Sequence, residues 1–66
     1  MFQASTQSRI ERLPSVISRT GLSRSSIYAM VAQERFVKPV KLSARAIGFV
    51  SSEVDAWIAA RAAARN

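Results

Sequence analysis

The acid chemistry of this 66-residue chain rests on four carboxylates: Glu11, Glu34, Glu53 and Asp55. It contains no histidine and no cysteine, so the usual general base, the commonest zinc ligand and the thiolate nucleophile are all missing. Glu53 and Asp55 sit where a helical pattern begins, and residues two apart on a helix point away from each other. No serine occupies a strand-turn-helix elbow, and there is no glycine-rich phosphate loop. The chain therefore reads as a non-enzyme, with no cofactor and no metal. What it can do is recognise anions. Ten Lys and Arg against the four acids give a net charge of +6. Residues 1–33 and residues 34–50 each carry +3, whereas residues 51–66 balance to zero. A positive field confined to three-quarters of the chain favours a polyanionic partner.

Two segments concentrate the donors. Ser23-Arg24-Ser25-Ser26 places hydroxyls and a guanidinium at the start of a helical pattern. There an arginine can pair with O6 and N7 of guanine, serines can reach base edges, and first-turn N–H groups favour a phosphate oxygen. Lys38, Lys41 and Arg45 stand on or beside a β-leaning segment directly afterwards, where cations can follow a phosphate backbone or enter a minor groove. The plainer alternatives are a structural cap at Ser23, a solvated Arg24, and a lysine that guards an edge strand at position 41.

The elements that must position these residues follow from punctuation and period. Residues 1–8 are polar and aperiodic and read as a flexible arm. Pro14 suits the first helical position, where its missing N–H costs nothing. Gly21 then ends a short helix in the left-handed conformation, with Leu22 packing back on Ile17 in a Schellman ending. Ser23 caps the next helix. In that helix Ile27, Met30 and Val31 share an apolar stripe, while Ser25, Ala29 and Ala32 form an outward face of small side chains, flanked by Ser26 and Tyr28. Residues 36–50 read as a β-hairpin with Ser43-Ala44-Arg45 as its loop, Pro39 at the strand start or edge, and Gly48 marking a bulge or a close approach. Ser52-Glu53-Val54-Asp55 has the form of a capping box. The helix after it carries Val54, Trp57, Ile58 and Ala62 on one face, and Trp57 is expected to be largely buried against Val16, Ile27 or Val31. Two helices, a glycine turn, a hairpin and a third helix make a mainly α domain over residues 9–66. It has the architecture of a winged helix-turn-helix, whose second helix enters the major groove.

The residues Arg12-Leu13-Pro14-Ser15-Val16 and Thr20-Gly21-Leu22-Ser23-Arg24-Ser25-Ser26-Ile27-Tyr28 resemble the opening of AlpA-like prophage regulatory proteins. Arg35-Phe36, Pro39-Val40-Lys41-Leu42-Ser43, Arg45-Ala46-Ile47-Gly48 and Ser52-Glu53-Val54-Asp55-Ala56-Trp57 continue the likeness in order, over roughly residues 9–61. The resemblance implies a MerR-like winged-helix fold related to phage excisionases, and site-specific binding of double-stranded DNA that regulates prophage genes. It points to Ser23, Arg24, Ser25, Ser26 and Tyr28 for the major groove and to Lys41, Ser43 and Arg45 for the wing. Three residues depart from the family's pattern. Glu34 stands where a glycine is usual, Val37 where proline is typical, and Phe49 where tryptophan is frequent. The first two bear on the angle of the wing.

The leading expectation is thus a cytoplasmic regulator that binds duplex DNA, self-association on DNA included. It would act at a promoter or as a recombination directionality factor. The competing expectation is a module that inhibits an acidic partner protein through the winged-helix surface, for which an exposed hydrophobic patch would be the sign. A membrane role is not expected. No run of 18 apolar residues occurs, and the basic residues do not line the polar face of one long amphipathic helix.

Overall fold

The computed structural model describes residues 9–65, so the arm expected over residues 1–8 lies outside the described residues. The element order is β1 (Ile10–Glu11), α1 (Leu13–Thr20), α2 (Arg24–Ala32), β2 (Val40–Ser43), β3 (Ala46–Val50) and α3 (Ser51–Ala64). Three helices with a small antiparallel sheet form a mainly α winged helix-turn-helix, as the sequence pattern indicates.

α1 begins after Arg12 with Pro14 in its first turn, and Gly21 closes it at φ 75°. That angle is left-handed and open to glycine without a Cβ penalty. The ending is an αL motif rather than the Schellman motif the spacing suggested. Gly21 N–H bonds the Ile17 carbonyl at 2.9 Å, while Leu22 N–H turns to the hydroxyl of Thr20 at 3.2 Å. Thr20 Oγ1 in turn donates to the Val16 carbonyl at 2.8 Å, which ties the turn to the helix it leaves. Ser23 caps α2 as expected, its Oγ accepting from Ser26 N–H at 3.1 Å. A serine cap of this kind is worth about 1 kcal/mol.

The sheet holds a strand that periodicity did not reveal. Its order is β1-β3-β2, and β1 pairs antiparallel with β3 through Ile10–Val50 and Glu11–Phe49. The hairpin proper is shorter than residues 36–50, because residues 36–39 form a connection. Ser43 pairs with Ala46, so only Ala44 and Arg45 remain as the loop. The register of β2 slips by one residue between Lys41 and Ser43, which leaves Leu42 as the extra residue. Gly48 marks a close approach. A Cβ built there would collide with Ile10 Cγ2 and lie 3.2 Å from both the Glu11 carbonyl and Leu42 Cδ1.

β3 runs straight into α3, and this removes the expected capping box. The helix starts at Ser51 after Val50 with no side-chain cap. Its first N–H is instead taken by the Arg9 carbonyl at 2.6 Å, a partner the pairing of β1 with β3 brings into reach.

Leu13, Val16, Ile27, Phe36, Phe49 and Val54 make the core, drawn from all three helices, the connection and β3. Trp57 is partly buried and packs against this core, which includes Val16 and Ile27. Its ring stands edge-on to Phe36 at 4.8 Å between centroids, its Nε1–H donates to the Arg35 carbonyl at 3.2 Å, and Arg61 lies over its face at 4.8 Å. Phe36 and Phe49 are themselves edge-to-face at 5.6 Å within the core. An indole N–H also needs an acceptor, and the core's edge supplies one.

Candidate nucleic-acid interface

α1 and α2 meet at the Gly21 turn, and the hairpin folds back beside them. This arrangement brings residues from three parts of the chain around one open groove of about 260 Å³. Arg12 immediately precedes α1, Arg24 is the first residue of α2, and Arg45 stands at the hairpin tip. Tyr28, one turn along α2 from Arg24, completes the polar lining and is 47% exposed. Leu13, Pro14, Ala46 and Ile47 supply the apolar walls. No carboxylate lines this groove. Three arginines lining one concavity with apolar walls raise the local potential and concentrate anions there.

The structure thus brings together Arg24, Tyr28 and Arg45 of the residues the sequence singled out. The others lie nearby on different surfaces. Ser25 and Ser26 are exposed on α2, and Ala29 and Ala32 continue the small-residue face. Ser23 is committed to its cap, with its hydroxyl also donating to Ser26 Oγ at 2.9 Å and 3.3 Å from Ser25 Oγ. Lys38 is exposed in the connection before β2, and Lys41 is exposed on β2 opposite Ile47. Ser43 accepts a long hydrogen bond of 3.4 Å from Arg45 N–H, which steadies the hairpin tip.

Sequence reasoning missed Arg12 as a groove residue. The available signal was its position just ahead of the Pro14 helix start, in a stretch of the chain that holds a single acid. Nothing local says that a hairpin thirty residues later folds back beside it.

A family described as "Prophage CP4-57 regulatory protein (AlpA)" matches residues 9–62. The chain belongs to the AlpA family. It is 42% identical over 61 residues to the uncharacterized protein ORF88 of Enterobacteria phage P4, covering 92% of this chain and 69% of the phage protein. It is 34% identical over 59 residues to the protein named DNA-binding transcriptional activator AlpA of Escherichia coli strain K12, covering 80% of this chain and 84% of that one. No solved structure matches it. Among the described residues no helix is long and apolar enough to cross a membrane.

Within this AlpA-family domain the basic residues divide by what they already hold. Arg19 bridges Glu11 at 2.6 Å and also binds Asp55, so it links β1, α1 and α3. The hydrogen bond it donates to Asp55, supported by Glu11, holds its guanidinium above the ordinary arginine pKa. Asp55 is therefore engaged by Arg19 and is not the back-reaching acid of a capping box. Arg35 reaches Gln33 Oε1 at 3.1 Å, and Arg61 covers Trp57. Arg12, Arg24 and Arg45 differ from all of these. Among the described residues their guanidiniums form no ion pair and no hydrogen bond.

Proposed function

We propose that this chain is a sequence-specific regulator that binds double-stranded DNA and acts on prophage genes. The observation that carries the reading is the acid-free groove where the start of α2 meets the hairpin tip, lined by Arg12, Arg24, Tyr28 and Arg45. The naming of the Escherichia coli relative as a DNA-binding transcriptional activator agrees with it. In this reading α2 enters the major groove. Its exposed face of Ser25, Ala29 and Ala32 carries no long side chain, so the helix backbone can lie close to the bases. Ser26 and Tyr28 flank that face. Ser23 contributes through the cap, which fixes the direction of α2's first turn. The hairpin is the wing. Lys41 and Arg45 run along the sugar-phosphate backbone, with Lys38, in the connection ahead of β2, and Ser43, at the end of β2, holding that strand near the duplex.

The measurement is a duplex titration at several salt concentrations, on the gene's own upstream region and on a nearby attachment site. Four to six basic contacts per monomer should give a slope of log K against log salt of roughly −4 to −5, because each neutralised phosphate releases condensed counterions. An affinity unchanged between low and physiological salt would sink the reading. A promoter fusion and an integrase excision assay then separate regulation of transcription from recombination directionality. The step in affinity between one and two bound copies reports self-association on DNA.

A further inference from the structure

We infer that Arg12, Arg24 and Arg45 together seat a single backbone phosphate, which makes Arg24 an anchor rather than a reader of guanine. The inference rests on the DNA-binding reading and deepens it. It begins from the cost of the arrangement. Three like charges around one groove, with no carboxylate among its lining, repel one another in the free protein. The same chain pairs Arg19 with two acids and stacks Arg61 on an indole, while Arg9 and Arg65 stand apart without an ion pair among the described residues, so what singles out Arg12, Arg24 and Arg45 is that they share one groove. An anion in the groove relieves the repulsion and offers acceptor oxygens to planar guanidinium forks, for which a phosphate diester is the best-matched ligand.

Helix geometry supports the assignment of Arg24. Positions 24 and 28 lie four apart and share one face of α2, and both line the groove. Ser25 and Ala29 share the adjacent face, about 100° around the helix, with Ala32 one turn further on. Both of these faces are exposed. If the small face meets the bases, Arg24 and Tyr28 lie to its side, against α1 and the hairpin tip. A strand of the duplex at the lip of the major groove runs in that direction. Arg12 comes from the chain just before α1, and Arg45 from the wing, so the phosphate would tie three separately folded pieces to one point on the backbone. Base discrimination is left to Ser25, Ser26 and the close approach of the α2 backbone, with the Tyr28 hydroxyl at the boundary between the two faces.

The test uses the full chain and two arms. The first is a scan of cognate duplexes in which one phosphate at a time is replaced by an uncharged methylphosphonate. One position per bound monomer should weaken wild-type binding about tenfold. Arg12→Gln, Arg24→Gln and Arg45→Gln should each weaken binding about tenfold on cognate and scrambled duplexes alike and lower the salt slope by about one. Each should lose nothing more on the duplex already neutralised at that position. All three side chains are exposed, so the variants should fold and stay readable, with thermal unfolding unchanged or slightly raised as the repulsion is relieved. The second arm titrates the free protein with inorganic phosphate while side-chain Nε–H signals are followed by NMR. The signals of Arg12, Arg24 and Arg45 should move along one shared isotherm while Arg19 and Arg61 stay still.

An Arg24→Gln variant that loses affinity only on the cognate duplex and relaxes one base pair overturns the assignment. So does an Arg12→Gln variant that binds as wild type. Shared phosphate shifts with a flat methylphosphonate scan overturn the DNA backbone as the source of the anion and leave a free-anion site. Failure of the wild type to bind any duplex defeats the functional reading, and the phosphate titration then decides the clamp alone. Three signals that do not move together end it.

Discussion

α2 is entered and left through the same backbone device, yet the two turns are built differently. Before it stands Gly21 at φ 75°. After it stands Glu34 at φ 59°, the one described residue other than glycine with positive φ. Both turns satisfy carbonyls left orphaned by the helix before them, α1 at the first and α2 at the second. At the second, Glu34 N–H reaches the Val31 carbonyl at 3.0 Å and Arg35 N–H reaches Met30 at 2.7 Å, the paired bonds of a Schellman motif. A glycine makes the first turn cheap. A glutamate makes the second costly, by about 1–2 kcal/mol for an L-residue held left-handed. The second turn persists because tertiary contacts hold its far side. Phe36 is buried against Phe49 and Trp57, and the Trp57 indole grips the Arg35 carbonyl. One turn is local preference, and the other is imposed by the core. Position 34 thus keeps its left-handed turn without a glycine.

The strongest way to break this contrast is to remove the anchor. Phe36→Ala should cost about 3–5 kcal/mol, by lost transfer energy and a residual cavity. In a domain this small that is much of the total, so Phe36→Leu, at about 1 kcal/mol, serves as the milder variant. Native-state hydrogen exchange should show the Arg35 amide losing more protection than the Gly21 amide in both variants. Equal losses at the two turns would mean that Phe36 holds the fold in general and not the second turn in particular.

The same division governs what the sequence could reveal. Gly21, the Ser23 cap and the Ile27 stripe were readable because each is a local requirement with a residue type that answers it. The hairpin was readable from alternation around Val40 to Leu42. β1 was not, since two residues carry no period and Ile10 and Glu11 become a strand only when β3 arrives beside them. The start of α3 was misread for a related reason, because a backbone carbonyl of Arg9 does the work assigned to the Ser52 side chain. The shared face of Val54, Trp57 and Ile58 was readable from period, but the acceptor of the indole N–H was not, because the Arg35 carbonyl comes from a turn twenty-two residues earlier. Of the groove, Arg24, Tyr28 and Arg45 could be proposed from position in the motif. Arg12 could not, because its membership depends on how the hairpin folds back.

Gly48 sharpens the comparison, since it is a glycine for space and Gly21 is one for angle. Gly48→Ala should cost about 1–3 kcal/mol, as the new methyl meets Ile10, the Glu11 carbonyl and Leu42. Adding Ile10→Ala should recover a measurable part, because the nearest obstacle is that side chain. No neighbour can rescue Gly21→Ala in this way, since nothing lies within 4 Å of a Cβ there. Denaturant unfolding of the two singles and the Gly48→Ala/Ile10→Ala double decides it. A double mutant less stable than the sum of its parts would show that Ile10 is needed for β1 pairing more than it obstructs position 48.

The smallest effects are the most direct test, because they exchange the two solutions. Gly21→Ala keeps the space and changes only the allowed backbone, so it should destabilise by about 1 kcal/mol. Glu34→Gly does the reverse. It removes the left-handed penalty of about 1–2 kcal/mol, and gives back part of it through the greater freedom of glycine in the unfolded chain, about 0.4–1 kcal/mol. The net expectation is a gain of roughly 0.5–1 kcal/mol, and at this chain length 1 kcal/mol moves Tm by about 4–8 °C. Both side chains lie outside the groove, so DNA affinity should follow neither change. If Glu34→Gly raises Tm, the strain at that turn is real and is borne by the Phe36 anchor. If it lowers Tm instead, the glutamate side chain must contribute more than its backbone costs, and the second turn is then as locally determined as the first.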